Sequence, residues 1–134
     1  MSALVIYNTK WDRGTSLRLY FQYETGSSEI TAVAPVDFAT WQAQAAVEVV
    51  ESGTQVEDAS PVAFSTSSDN ISLEADGTVV VTFPWSAGLD ALFTNEDPVF
   101  LKYDVILQDT DGYRLKLAAG KITLEDSVTV WQTP

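Results

Sequence analysis

The sequence contains no cysteine and no histidine, and only seven of its 134 residues are lysine or arginine. The missing cysteines exclude disulfides, and without either residue type a conventional zinc site cannot form. Catalysis by a thiol or by a serine–histidine pair is excluded for the same reason. With 19 acidic residues the formal net charge is −12, which argues against nucleic-acid binding because phosphates require cations.

Long apolar runs are also lacking, since no stretch approaches the roughly 20 apolar residues that a membrane helix needs. The apolar start at residues 3–7 is too short for a signal-peptide core and has no basic run before it. We therefore expect a soluble protein that is made in a cytoplasm and has no membrane partner. What the chain does contain is 46% hydrophobic residues, with four Trp, five Tyr and six Phe. This composition and length predict a single domain over residues 1–134.

Alternation of apolar and polar residues predicts an all-β protein. Strands are predicted at residues 15–23, 40–50, 62–64, 71–73, 78–83, 101–108, 113–117, 121–124 and 128–131. Segment 40–50 also has the composition of a helix, but its apolar odd-numbered positions favour a strand. A short helix capped by Ser86 is predicted at 86–93, and a bulge or kink at 118–120. Seven to nine strands at this spacing predict a two-sheet antiparallel sandwich of the immunoglobulin-like kind.

Basic residues occur near the two ends of the chain and are missing from its middle. No basic residue lies between Leu19 and Leu101, whereas this span contains 13 acidic residues. If the two ends pair in one sheet, the basic residues collect together and the middle forms an acidic surface. A solvated face that keeps the protein soluble is the favoured explanation, and a docking surface for a basic partner is the alternative.

Acidic residues provide the nearest approach to a catalytic or metal-binding motif. The spacing Asp109-x-Asp111-Gly112 resembles the opening of a calcium loop, but the twelfth position, which needs a bidentate Glu, is Gly120. A hairpin turn is therefore favoured. The acidic pairs at 57–58, 96–97 and 125–126 are neighbours in loops, so we expect no enzymatic activity, no metal and no cofactor.

Three aromatic residues are the candidate interface residues: Trp85, Phe93 and Trp131. Exposed aromatic side chains are typical of protein-binding surfaces, although core packing is the favoured explanation for any single Trp. Trp41 lies in an alternating segment and is expected in the core.

The order of several segments resembles a known family of viral domains. An Arg-Gly-Thr start leads into the strand at 13–23, and segments 37–45 and 71–79 and the short helix follow. The most specific part is a Tyr-Asp, Asp-Gly, Gly, Val-Thr series between Tyr103 and Thr129. Together these segments resemble the small β-sandwich domain of tailed-bacteriophage virion proteins, such as the N-terminal domain of the baseplate upper protein.

The resemblance implies a non-enzymatic virion structural protein, a tail or baseplate adaptor that docks on neighbouring virion proteins or fibres. It also implies assembly into the virion in the host cytoplasm, as a homo-oligomer or a symmetric array on the particle. A capsid decoration protein is the alternative, because the domain is small and self-contained and lacks a fibre region. A carbohydrate-binding module is a third hypothesis, because aromatic-rich sandwiches often stack sugars on exposed rings.

Overall fold

The computed structural model describes residues 5–23, 38, 40–60, 62–63, 70–74, 77–93 and 99–127. These residues form nine strands: β1 (Val5–Ile6), β2 (Thr9–Asp12), β3 (Leu17–Gln22), β4 (Gln42–Val49), β5 (Val62–Ala63), β6 (Ile71–Leu73), β7 (Thr78–Phe83), β8 (Val99–Gln108) and β9 (Arg114–Glu125). They also include one turn of 3-10 helix (Glu57–Ala59) and helix α1 (Ala87–Asp90). Neither described helix is long and apolar enough to cross a membrane.

The strands form two sheets that pack face to face. The larger sheet has the order β1-β9-β8-β4-β5, with β2 also paired to β9, and the smaller sheet has the order β3-β7-β6. All pairs are antiparallel except those of β1 and β2, which run parallel to β9. The smaller sheet contains β3, β7 and β6, whereas β4, β5, β8 and β9 lie in the larger sheet. This distribution of strands between the two layers is immunoglobulin-like. The prediction of an all-β two-sheet sandwich is confirmed.

The period of two in the sequence determines which side chains enter the core. Segment 40–50 forms strand β4 and not a helix, because Ala43, Ala45 and Val47 all face the smaller sheet and are buried. In β7 the buried residues again alternate, ending with Phe83. Burial of one complete face outweighs the helix propensity of Ala, Gln and Glu.

The two layers meet through aliphatic and aromatic side chains, and no described polar or charged residue is buried. Phe83 of the smaller sheet contacts Trp11 and Tyr103 of the larger sheet, at ring-centroid distances of 6.0 and 5.8 Å. Such tilted and edge-on pairs stabilise the interior beyond the area that they bury. A second aromatic cluster lies near the other end of the β3–β7 pair: Tyr23, Phe38 and Trp41. Trp41, which was expected in the core, packs against the core within this cluster but is only half-buried, and it directly precedes β4.

Two local predictions need correction. Helix α1 ends at Asp90 instead of reaching Phe93, although Ser86 caps it as predicted, with Oγ accepting from the Leu89 N–H at 3.2 Å. Strand β9 is continuous through 118–120, and its irregularity falls at Leu117, where the register with β8 shifts. The extra residue is accommodated by a local bulge, so that the strand need not end.

Some predictions lie outside the described residues. They concern the strand at 128–131 with Trp131 and the last residue of the strand at 62–64.

Candidate docking surface

The outer face of the larger sheet carries five of the seven basic residues: Lys10, Lys102, Arg114, Lys116 and Lys121. We call this surface the lysine face. It arises because β2, from the start of the chain, pairs with β9, from near its end, and β9 pairs with β8. Segments from near the two ends of the chain therefore pair in one sheet, and these five basic residues gather as the sequence predicted for that case.

Charge is segregated between this face and the other described residues. Four acidic residues share the lysine face: Asp12, Glu48, Asp104 and Glu125. Five basic and four acidic residues give the face a net charge of +1, whereas the other residues that the structure describes include two basic and eight acidic ones, a net charge of −6. A partner approaching this face therefore meets a potential very different from that of the other described surfaces.

Most of the lysines make ion pairs across neighbouring strands: Lys10 with Glu125 at 3.3 Å, Lys102 with Glu48 at 3.3 Å, and Lys116 with Asp104 at 3.4 Å. All six side chains are well exposed, so these pairs contribute little to stability. Lys121 makes no ion pair with a described residue, and Arg114 donates to Gln108 Oε1 at 2.7 Å instead of to a carboxylate. These two cations are available to a partner.

A shallow depression of about 510 Å³ lies in the lysine face. Its floor is low because Ala46 and Ala119 flank Asp104 in one row across β4, β8 and β9. Three lysines line its rim, together with the exposed side chain of Ile6. A protruding acidic side chain with an apolar stem fits such a depression by both charge and shape.

The edge of the depression is fixed where the chain between β1 and β2 crosses Gly120. The Tyr103 hydroxyl donates to the Tyr7 carbonyl at 2.7 Å, and Asn8 Oδ1 accepts from the Lys121 N–H at 2.9 Å. Burial of Tyr103 raises the pKa of its hydroxyl to about 12, and the neighbouring Tyr7 contributes to the rise. A Cβ on Gly120 would lie 1.8 Å from the Tyr7 oxygen, so glycine is required for this crossing.

The predicted interface residues Trp85 and Phe93 lie together at one corner of the sandwich, and both are half-buried. Trp85 packs edge-on against the buried Trp11 at 5.7 Å and contacts Phe93 at 6.1 Å between ring centroids. The guanidinium carbon of Arg13 lies 4.7 Å from the centre of the Phe93 ring. These two rings therefore belong to the packing of the corner while keeping part of their surface exposed. The third predicted residue, Trp131, lies outside the described residues.

Arg13 joins three separate elements at this corner. Its Nε donates to Asp90 Oδ1 at 2.9 Å and its Nη1 donates to Asp126 Oδ1 at 3.3 Å, so the end of β2 is connected to α1 and to the end of β9. The hydrogen bond from Arg13 lowers the pKa of the Asp90 carboxyl, and the same bond raises the pKa of Arg13.

The Asp109 segment forms a hairpin turn, as predicted. Asp109 Oδ1 accepts from the N–H groups of Asp111 and Tyr113, both at 2.9 Å, and Gly112 adopts a φ of 87°. Within the described residues, no group of three or more acidic side chains is placed to hold a metal ion.

The other acidic pairs have local contacts wherever the structure describes them. Asp58 Oδ2 accepts from the Gly88 N–H at 3.2 Å and so connects the 3-10 turn to α1. Glu125 and Asp126 pair with Lys10 and Arg13 respectively. The pair at 96–97 lies outside the described residues.

No protein-family model matches this chain, and a search of curated proteins finds no similar sequence. Its charge distribution and its exposed surfaces are therefore the guides to what it binds.

Proposed function

We propose that the chain is a non-enzymatic structural protein of a tailed-bacteriophage virion, where it is a tail or baseplate adaptor. It docks on neighbouring virion proteins or fibres. The resemblance of segments 13–23, 37–45 and 103–129 to virion β-sandwich domains supports the virion assignment. The observation that carries the docking role is the segregation of charge among the described residues, with +1 on the lysine face and −6 outside it.

An adaptor must hold two different neighbours at once, and two surfaces of opposite electrostatic character suit that task. The lysine face fits an acidic protein surface, with Lys121 and Arg114 as its available cations. The acidic residues that the structure describes outside this face fit a basic partner. Opposite potentials steer association and fix which surface meets which neighbour, even where they add little affinity. Many copies on a symmetric particle would then convert modest contacts into stable attachment.

Immunogold labelling of purified virions tests the location, using an antibody raised against the full chain. We expect label at the tail end of the particle, away from the head. Label on the head would contradict the tail assignment and support the capsid decoration alternative. Absence of the chain from purified virions would contradict the proposal as a whole.

Substitution of Lys121 tests whether the lysine face does the docking. Lys121→Glu reverses the charge of a cation without an ion-pair partner among the described residues, so we expect it to reduce the number of copies per virion several-fold. Lys121→Arg keeps the charge on the same strand and is the matched control, with wild-type incorporation expected. Equal incorporation of both variants, measured by quantitative mass spectrometry of virions, would contradict a docking role for this face.

A further inference from the structure

Strand β3 forms one edge of the smaller sheet. Within the described residues, no strand pairs with its outer side at residues 17–21. The strands at the other sheet edges have two to four residues: β1, β2, β5 and β6. Short edge strands are a common protection against unwanted pairing, because an exposed edge is a template for another strand. The edge of β3 at residues 17–21 is longer than these strands and lacks this protection.

The register of β3 shows which of its backbone groups face outward. The Tyr23 N–H donates to the Gly77 carbonyl at 2.8 Å, so odd-numbered residues direct their backbone groups toward β7. Arg18 and Tyr20, at even positions, therefore direct N–H and C=O toward the free edge. These outward-facing backbone groups of Arg18 and Tyr20 make no hydrogen bond to a described residue. An incoming strand would find two donors and two acceptors at the spacing of a β-ladder.

An apolar groove of about 320 Å³ follows this edge between β1 and β3. Its lining includes Val5, Tyr7, Leu19 and Phe21. Val5 and Tyr7 are 36% and 47% exposed, so they remain accessible to a partner. Because side chains alternate across a strand, every second residue of an incoming strand would enter this groove. The groove therefore selects apolar residues at alternate positions.

Arg18 provides charge complementarity on the opposite face of the same edge. Its Nε donates to Thr82 Oγ1 at 3.1 Å, and it makes no ion pair with a described residue, although the chain has 12 more acidic than basic residues. An acidic residue opposite Arg18 would form a cross-strand pair of opposite charge, which stabilises sheet pairing.

We propose that the free edge of β3 binds an extended segment of a partner protein by strand addition. The segment has apolar residues at alternate positions and an acidic residue opposite Arg18. A second copy of β3 does not fit this description, because Leu17–Gln22 contains no acidic residue and each copy carries a net charge of −12. The inference is independent of the virion assignment, since strand addition is a property of the isolated domain.

A fluorescein-labelled peptide, Ser-Val-Thr-Val-Glu-Val-Ser, tests the proposal with the full-length chain. In antiparallel pairing its Glu lies opposite Arg18 and its Thr opposite Tyr20, while the Val side chains face the groove. We expect saturable binding by fluorescence anisotropy, with slowed amide exchange at Arg18 and Tyr20 in NMR spectra. A peptide N-methylated at Thr and Glu lacks the donors for the free edge, and we expect its affinity to fall by about tenfold or more.

Two variants separate strand addition from general charge attraction. Arg18→Glu should weaken peptide binding by about tenfold, whereas Lys121→Glu makes the same charge change on the other sheet and should leave binding unchanged. Tyr20→Pro removes an outward N–H without touching the ladder to β7 and should abolish binding. The proposal is overturned if no peptide binds, if the N-methylated peptide binds as tightly as its parent, or if Lys121→Glu weakens binding as much as Arg18→Glu.

Discussion

The close approach of the Tyr7 carbonyl to Gly120 predicts that Gly120→Ala lowers the free energy of unfolding. In Gly120→Ala, the new Cβ would meet the Tyr7 oxygen at 1.8 Å, and this oxygen must retreat by about 1.2 Å to reach a separation of 3.0 Å. The retreat breaks the 2.7 Å hydrogen bond from the Tyr103 hydroxyl and loosens the junction of β1 and β2. Although Gly120→Ala adds only one methyl group, it should therefore disrupt the pairing of β1 and β2 with β9.

Two contributions set the size of the effect. Overpacking at a closely packed site costs about 1–3 kcal/mol, and loss of the partner of a buried hydroxyl costs about 1–3 kcal/mol. Because relaxation of the crossing reduces both, we expect a decrease of about 2–4 kcal/mol in the free energy of unfolding. At this chain length that corresponds to a decrease of roughly 6–12 °C in Tm.

Urea unfolding followed by tryptophan fluorescence measures this change, and a double-mutant cycle with Tyr103→Phe identifies its cause. Tyr103→Phe alone should cost about 1 kcal/mol, but almost nothing in the Gly120→Ala background, where the hydrogen bond is already lost. Ala119→Ser, on the outward-facing neighbour, is the control and should change stability by less than about 0.5 kcal/mol. Strict additivity of the two substitutions, or a wild-type Tm for Gly120→Ala, would refute the reasoning.

Three further predictions concern titration and the aromatic corner. The pKa of Tyr103 is raised from 10.0 to about 12, so the unfolded chain loses the hydroxyl proton at a lower pH than the folded protein. The contribution of this hydroxyl to stability should therefore be intact below pH 10 and lost between pH 10 and 12. A stability difference between wild type and Tyr103→Phe that stays constant across that range would contradict this. The pKa of Asp90 is lowered by Arg13, so the stabilisation is present above the ordinary carboxyl pKa of 3.8 and lost as pH falls below it. The Tm difference between wild type and Arg13→Gln should accordingly shrink in acid, and a constant difference would exclude this ion pair as its source. Trp85→Ala should lower the free energy of unfolding by about 2 kcal/mol, because the ring packs on Trp11; unchanged stability in urea would identify Trp85 as a purely exposed anchor.

Strand positions could be predicted from the sequence where one face is buried along the whole strand. Residues 78–83 form β7 with the predicted bounds, because β-branched residues and a following Pro84 leave little alternative. Residues 5–12 gave no such signal, since β1 and β2 are short and are stabilised by pairing with β9, more than 100 positions away in the chain. The irregularity was predicted at 118–120 and lies at the adjacent Leu117, because the register depends on the facing strand β8.

The candidate surfaces were predictable to different degrees. The lysine face followed from the distribution of charge along the chain, once the two ends were assumed to pair. The half-buried state of Trp85 and Phe93 did not follow, because Trp85 packs on Trp11 of a distant strand and Phe93 packs on Trp85. The free edge of β3 could not be predicted either. The alternation within a strand shows which residues face the core and which face outward, but it does not show which edge of the strand pairs with another strand.

The two proposed surfaces depend on different interactions, so salt should separate them. Contacts of the lysine face are between exposed charges, and at about 1 M salt the screening length falls to about 3 Å, shorter than the 3.3–3.4 Å ion-pair distances on that face. A strand added to β3 is held by backbone hydrogen bonds and by apolar contacts along the groove, neither of which is screened in this way. A partner of the lysine face should therefore dissociate in high salt while a strand bound at β3 remains. Release of both partners at the same salt concentration would mean that the β3 edge binds its partner mainly through the charge of Arg18. That result would contradict binding by backbone hydrogen bonds.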